Sequence, residues 1–137
     1  LKQISTRFSM AVHILSLISV QADLTGDYIA GSVNTNPVVI RRIMGMLKKA
    51  GLLEVRPGVG GASLLKSPEE ITLLDIYRAV NVIEGNQLFR VHGGSNVKCR
   101  VGQNIEQVLQ SELFEAQAAM EQRLAQTTLS QLTTRFI

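Results

Sequence analysis

Apolar residues between Gln3 and Ala22 recur at Ile4, Phe8, Ala11, Leu15, Ile18 and Ala22, in steps of four and three that lay a stripe along one side of a helix. Met10, Val12, Ile14 and Leu17 carry the apolar character beyond that stripe, so the pattern predicts a first helix covered by protein on more than one side, with a dimer contact among the coverings. Asp23 to Asp27 reads as a turn and Tyr28 to Val33 as a short helix, which leads through Asn34 and Thr35 into a third. Asn36 can cap that third helix by accepting a backbone N–H bond, and Pro37 suits its first position, where a missing donor costs nothing. Ile40, Ile43, Met44 and Leu47 then share one face, and Val38, Arg41, Arg42, Gly45, Lys48 and Lys49 the other. The two lysines suit the carbonyl end, and Gly51 can take the left-handed conformation that stops the helix near Ala50. A short helix, a brief connection and a helix with a basic outer face have helix-turn-helix spacing.

Leu52 to Arg56 is apolar and β-branched enough for a strand, and Ser63 to Lys66 can return beside it. Between them Pro57 to Gly61 places glycine at 58, 60 and 61, which allows positive φ and a close approach of backbone to backbone. Taken alone, the glycines fit an ordinary tight hairpin. Joined to the basic helix they predict the wing of a winged helix, because Asn36 to Lys66 holds six Lys or Arg residues against one acid, Glu54.

Beyond the wing, Ser67 to Glu70 and Thr72 to Asp75 each resemble a helix start, with a hydroxyl residue three positions before an acid. The second begins the longer helix, with Leu73, Ile76, Tyr77, Val80 and Ile83 on its apolar face and Gly85 at its end. Gly85 to Gly102, which holds His92, Gly93, Gly94 and Cys99, is the least periodic stretch and reads as a loop for an effector or a protein partner. Ile105, Leu109, Leu113, Ala116, Met120 and Leu124 then mark a helix of about 24 residues, on the order of 36 Å long. That exceeds what a small domain needs, so Ile105, Leu109, Leu113, Met120 and Leu124 are expected to form a dimer interface. One more short helix is expected from Thr127. The predicted fold is mainly α with a small β-hairpin wing: a winged helix-turn-helix over 1–83, a loop over 84–102, and a long dimerisation helix with its tail over 103–137.

Composition sharpens this picture in several respects. At 137 residues and 45% hydrophobic, the chain suffices for a small domain with a core plus an oligomerisation arm. Its +3 charge is unevenly spread: residues 1–66 carry eight bases against three acids, and the remainder six against eight. A positive half that coincides with helix and wing points to double-stranded DNA rather than membrane, since no Trp- or Phe-bearing basic amphipathic helix is present. No apolar run has the length of a membrane span and no signal sequence opens the chain, so a cytoplasmic location is expected. Cys99 is the only cysteine, which excludes an intrachain disulfide, a zinc ribbon and a Cys-x-x-Cys motif. His13 has no neighbouring ligand and reads as a packed or surface imidazole. His92 and Cys99, seven residues apart in a glycine-rich loop, define no catalytic geometry, and no enzyme activity is expected.

Several stretches resemble the bacterial winged-helix repressors of the Rrf-two type, over nearly the whole chain. They are Pro37 with Leu47 to Leu53, the wing residues Arg56, Gly60 and Gly61, the run Ile71 to Val80, and Cys99 to Gly102. The resemblance implies a homodimer held by the long helix, with the basic helix in the major groove and the wing at the minor groove. Cluster-bearing members of that group carry three cysteines in the loop before the long helix; here Cys99 and at best His92 stand there, so an iron–sulfur cluster lacks ligands and no cofactor or metal is expected. The wing departs as well, with Pro57 before Gly58 and Ala62 where an aromatic residue is common.

The expected function is that of a sequence-specific DNA-binding regulator, a repressor that meets an inverted repeat as a homodimer. Asn34, Thr35, Asn36, Val38, Arg41, Arg42 and Lys48 are expected near base edges or phosphates, and Arg56, Gly58, Gly60, Gly61 and Ser63 beside the backbone. Two alternatives stay open: a winged-helix docking module for protein, and a thiol-redox sensor acting through Cys99, for which a structural role is equally compatible with the sequence.

Overall fold

Side-chain caps fix where several of the helices begin. Thr25, Asn36 and Thr128 each accept a backbone N–H two or three residues ahead, and Thr72 and Asp75 bond reciprocally at 3.0 and 3.1 Å. The computed structural model describes residues 6–21, 23–56, 61–80 and 88–136. Along them run α1 (Arg7–Val20), α2 (Gly26–Val33), α3 (Pro37–Lys49), β1 (Leu53–Val55), β2 (Ala62–Leu64), α4 (Leu73–Val80), α5 (Arg100–Leu124) and α6 (Leu129–Thr133). The chain divides into two units, one of residues 1–81 with 124–137 and one of residues 82–123.

In the first unit α1 is the central element, packed against α2, α3, α4, α6 and β2. Its core face is Ala11, Ile14, Leu15 and Ile18, all buried. Ile14, outside the stripe of fours and threes, is part of the core as well, so the helix is covered on more than one side. The outer apolar residues Met10, Val12 and Leu17 are half-buried and Val20 is exposed; Ile4 and Ala22 lie outside the described residues. Ile40, Ile43, Met44 and Leu47 of α3 are buried against this face, with Leu52 and Leu53 beyond them. The Phe8 and Tyr77 rings meet edge to face, centroids 5.8 Å apart.

The hairpin pairs Leu53 with Leu64, Glu54 with Ser63 and Val55 with Ala62. Both strands are shorter than their sequence suggests, although Leu65 N–H still donates to Leu52 at 3.1 Å. Ser67 to Glu70 forms a turn closed by Glu70 N–H on the Ser67 carbonyl at 2.9 Å, and no helix starts there. On α4, Ile76, Tyr77 and Val80 are buried as their spacing predicts; Ile83 and Gly85 lie outside the described residues.

The C-terminal tail departs from its expected grouping with the long helix. Leu73 N–H bonds Thr127 at 2.9 Å, Leu129 N–H bonds Ile71 at 2.7 Å, and Ser130 N–H bonds Pro68 at 3.1 Å. Leu129 is fully buried, so α6 is part of the first unit's core. In the second unit α5 starts at Arg100, three residues before the expected Gln103. Asn96 makes the start: its side chain accepts from Lys98 N–H at 3.0 Å and its carbonyl from Cys99 N–H at 3.2 Å. A Cβ on Gly102 would collide with that same carbonyl. No residue of α5 is buried within the chain.

Candidate nucleic-acid interface

The outer face of α3 is set by how its ends are tied. At the start, Asn34 takes a left-handed φ of 62° and closes α2 on the Ala30 carbonyl at 2.8 Å, while Thr35 N–H shares that acceptor at 3.1 Å. Asn36 Oδ1 then accepts from Val38 N–H at 2.8 Å. At the far end Gly51, at φ 78°, donates to Lys48, and Leu52 N–H reaches back to Leu47, both at 3.0 Å. These bonds satisfy the last carbonyls of the helix and press Leu52 onto Leu47, both buried. With the apolar stripe so anchored, Val38, Arg41, Arg42, Gly45, Lys48 and Lys49 are all exposed, as expected.

Of the candidate residues before α3, Asn34 and Asn36 are exposed and Thr35 is half-buried. Asn34 and Asn36 also shape the turn, so the Asn36 side-chain oxygen is committed to the cap, and its amide N–H groups take no part in that bond. On the wing, Ser63 is half-buried in β2 and Gly61 is buried at the hairpin's base. Gly58 and Gly60 lie outside the described residues. Arg56 donates its backbone N–H to Gly61 at 3.1 Å, and its guanidinium stands 3.8 Å from Asp23 Oδ1. Asp23 had no place among the sequence candidates. It belongs to a turn 33 positions before Arg56, and only its charge in an otherwise basic half could have singled it out.

The other candidates are separate from this face in chemistry. His13 Nε2 is 3.0 Å from Ser32 Oγ, a surface contact between α1 and α2. His92 is 3.3 Å from Ser95 Oγ, and among the described residues no bond joins it to Cys99. Cys99 is exposed in the capping position of α5, its carbonyl accepting from Gln103 N–H at 2.8 Å. The backbone N–H groups of Gly102 and then Val101 hold its thiol below the usual cysteine range, against a small opposing effect of burial. Ile105, Leu109, Leu113, Met120 and Leu124 are half-buried along one side of α5, while Val101, Val108 and Phe114 are exposed.

Residues 4–135 match the Rrf2 family, described as iron-dependent transcriptional regulator. Over 126 residues the chain is 49% identical to YwnA of Bacillus subtilis, provisionally named an HTH-type transcriptional regulator, covering 92% of this chain and 93% of YwnA. A crystal structure provisionally described as a DNA-binding protein is 43% identical, with a TM-score of 0.75 over 92% of this chain and 97% of that one. CymR, the global cysteine regulator of Bacillus subtilis, shares the fold at 20% identity, with a TM-score of 0.70 over 98% of each chain. Among the described residues no three of His, Cys, Asp or Glu converge as metal ligands, and Cys99 is the chain's one cysteine. No helix among the described residues is long and apolar enough to cross a membrane. With residues 4–135 matched by the family and a relative 49% identical over 92% of the chain, and with a capped basic helix and a hairpin built on one core, this chain is a member of the Rrf2 family of transcriptional regulators.

Proposed function

We propose that the protein is a sequence-specific DNA-binding repressor that acts as a homodimer in the cytoplasm, with α3 in the major groove and the wing against the adjacent backbone. The observation that carries this reading is the face of α3. Arg41, Arg42, Lys48 and Lys49 are all exposed on one side of a helix whose other side is locked into the core. Arginine can bond guanine O6 and N7 in two places or grip a phosphate, and lysine supplies point charge to the backbone. Asn34, Thr35, Asn36 and Val38 flank the groove end of the helix, and Arg56, Gly58, Gly60, Gly61 and Ser63 belong to the wing. The names of YwnA, a transcriptional regulator, and of the 43%-identical structure, a DNA-binding protein, support DNA as the partner.

A homodimer is supported by α5, 25 residues long with none buried. Ile105, Leu109, Leu113, Met120 and Leu124 would form its seam. The outer side of α1 offers a second surface, a groove of about 500 Å³ walled by Val12, Leu17, Val20 and Phe136. Two copies of α3 about a dimer axis require an inverted repeat, and a dimer seated on a promoter excludes polymerase. Selection of bound fragments from genomic DNA, followed by footprinting, tests the reading. A protected inverted repeat is expected, and failure to enrich any sequence would favour a winged helix that docks protein.

One observation favours a second, compatible activity. A lowered pKa favours the thiolate of an exposed Cys99, and a thiolate attacks one oxygen of a peroxide, breaking the O–O bond to leave a sulfenic acid and release hydroxide. Cys99→Ser should bind DNA as the reduced protein does and lose any response to peroxide. A response that persists in this variant would leave the thiol structural.

A further inference from the structure

Three unusual features converge where the α1–α2 turn meets the base of the wing. Asp23 holds a left-handed φ of 60°, which residues with a Cβ rarely adopt. Opposite it, Gly61 is at φ 104°, and a Cβ there would lie 3.2 Å from both Asp23 Cα and Asp23 Oδ1. A side chain at 61 would push the wing's base off the turn, so this glycine sets the spacing between them. Arg56, bonded through its N–H to the Gly61 carbonyl, is thereby brought 3.8 Å from the Asp23 carboxylate. Arg41, Arg42, Lys48 and Lys49 have no carboxylate in ion-pair range among the described residues, so Arg56 differs from the rest of the basic face.

The pair is too exposed to be explained by stability, at 63% for Arg56 and 66% for Asp23. Its consequence is directional. At 3.8 Å Nη1 lies within ion-pair but beyond hydrogen-bond distance of the carboxylate, so the attraction draws the guanidinium to one side while all five of its N–H donors can still meet a phosphate. We propose that Asp23 is a positioning residue for DNA recognition, which acts through Arg56 by aiming the guanidinium at one phosphate of the cognate complex. This rests on the reading of α3 and the wing as a DNA face. When α3 docks in register, the aimed arginine meets its phosphate without first being ordered. On random DNA no phosphate arrives at a fixed place, so the aim confers nothing and the carboxylate is only one more repelling charge.

The test is Asp23→Asn in the full-length protein, since asparagine tolerates the left-handed conformation and only the charge is lost. Affinities are measured on the best selected fragment and on a random duplex of equal length, over a salt series. The expected result is binding weakened about two- to fivefold on the cognate fragment, the range an exposed pair can supply. On random DNA binding should be no weaker, with a salt slope equal or steeper by up to about one. In an Arg56→Ala background the cognate loss should vanish. Unchanged or tighter cognate binding, an equal loss on both DNAs, or a loss that survives Arg56→Ala would each overturn the inference. Should Arg56→Ala by itself leave affinity and salt slope untouched, the wing's assignment to DNA fails and the inference falls with it, while variants in α3 judge the helix separately.

Discussion

At the scale of the residue, the candidate site separates side chains that build the turn from side chains that face outward. Asn34, Asn36 and Gly61 are fixed by backbone bonds, a cap or a close approach, so changing them alters the shape of the face along with its chemistry. Arg41 and Arg42 are exposed on α3, with no hydrogen bond or ion pair to either among the described residues. They are therefore clean probes. Alanine at whichever arginine reads a base should cost about 1–3 kcal/mol on the selected fragment and little on random DNA, while Lys48→Ala, which we propose removes a phosphate contact, should weaken both alike. Competitive binding against both DNAs distinguishes the two patterns. If Arg41→Ala and Arg42→Ala, singly and together, leave affinity unchanged, α3 does not read DNA and protein docking becomes the better account of the winged helix.

At the scale of the element, what was legible followed from local rules acting over a few residues. The Asn36–Pro37 start, the stripe from Ile40 to Leu47 and the Gly51 stop lie within 16 positions, and each is a choice the helix makes with its own neighbours. The Thr72–Asp75 box was legible for the same reason. Ile14, outside the first stripe, is buried because α1 is packed on several sides, as the apolar character beyond that stripe implies. The place of α6 was not legible, since five residues with a single buried apolar side chain carry no period, and the bonds that seat it join Thr127 to Leu73 and Leu129 to Ile71 across more than fifty positions. Asp23 beside Arg56 escaped on the same ground. The tail's role can be measured. Leu129→Ala removes a fully buried side chain beside α1 and should destabilise the protein by about 2–5 kcal/mol in denaturant unfolding. A loss below roughly 0.5 kcal/mol, ordinary for a surface position, would mean that α6 is not part of the cooperative core.

At the scale of the molecule, DNA affinity and oligomeric state are coupled predictions. A helix of 25 residues, about 37 Å long, cannot keep Ile105, Leu109, Leu113, Met120 and Leu124 half-open to water without a cost that association would remove. Light scattering at micromolar concentration should give the mass of two chains. Leu113→Lys or Met120→Lys should shift it toward one, because the seam would then have to desolvate a charge. Each subunit presents Arg41, Arg42, Lys48, Lys49 and Arg56 around α3 and the wing, from which three or four phosphate contacts are a reasonable number. For a dimer the logarithm of affinity should then fall with the logarithm of salt at a slope of about −5 to −7. The seam variants make this decisive. If they yield monomers, the slope on a half-site should drop to about half that value, because half of the phosphate contacts leave with the second subunit. A monomeric wild-type protein, or a slope that is the same for dimer and seam variant, would mean that the two recognition helices do not act on one stretch of DNA together.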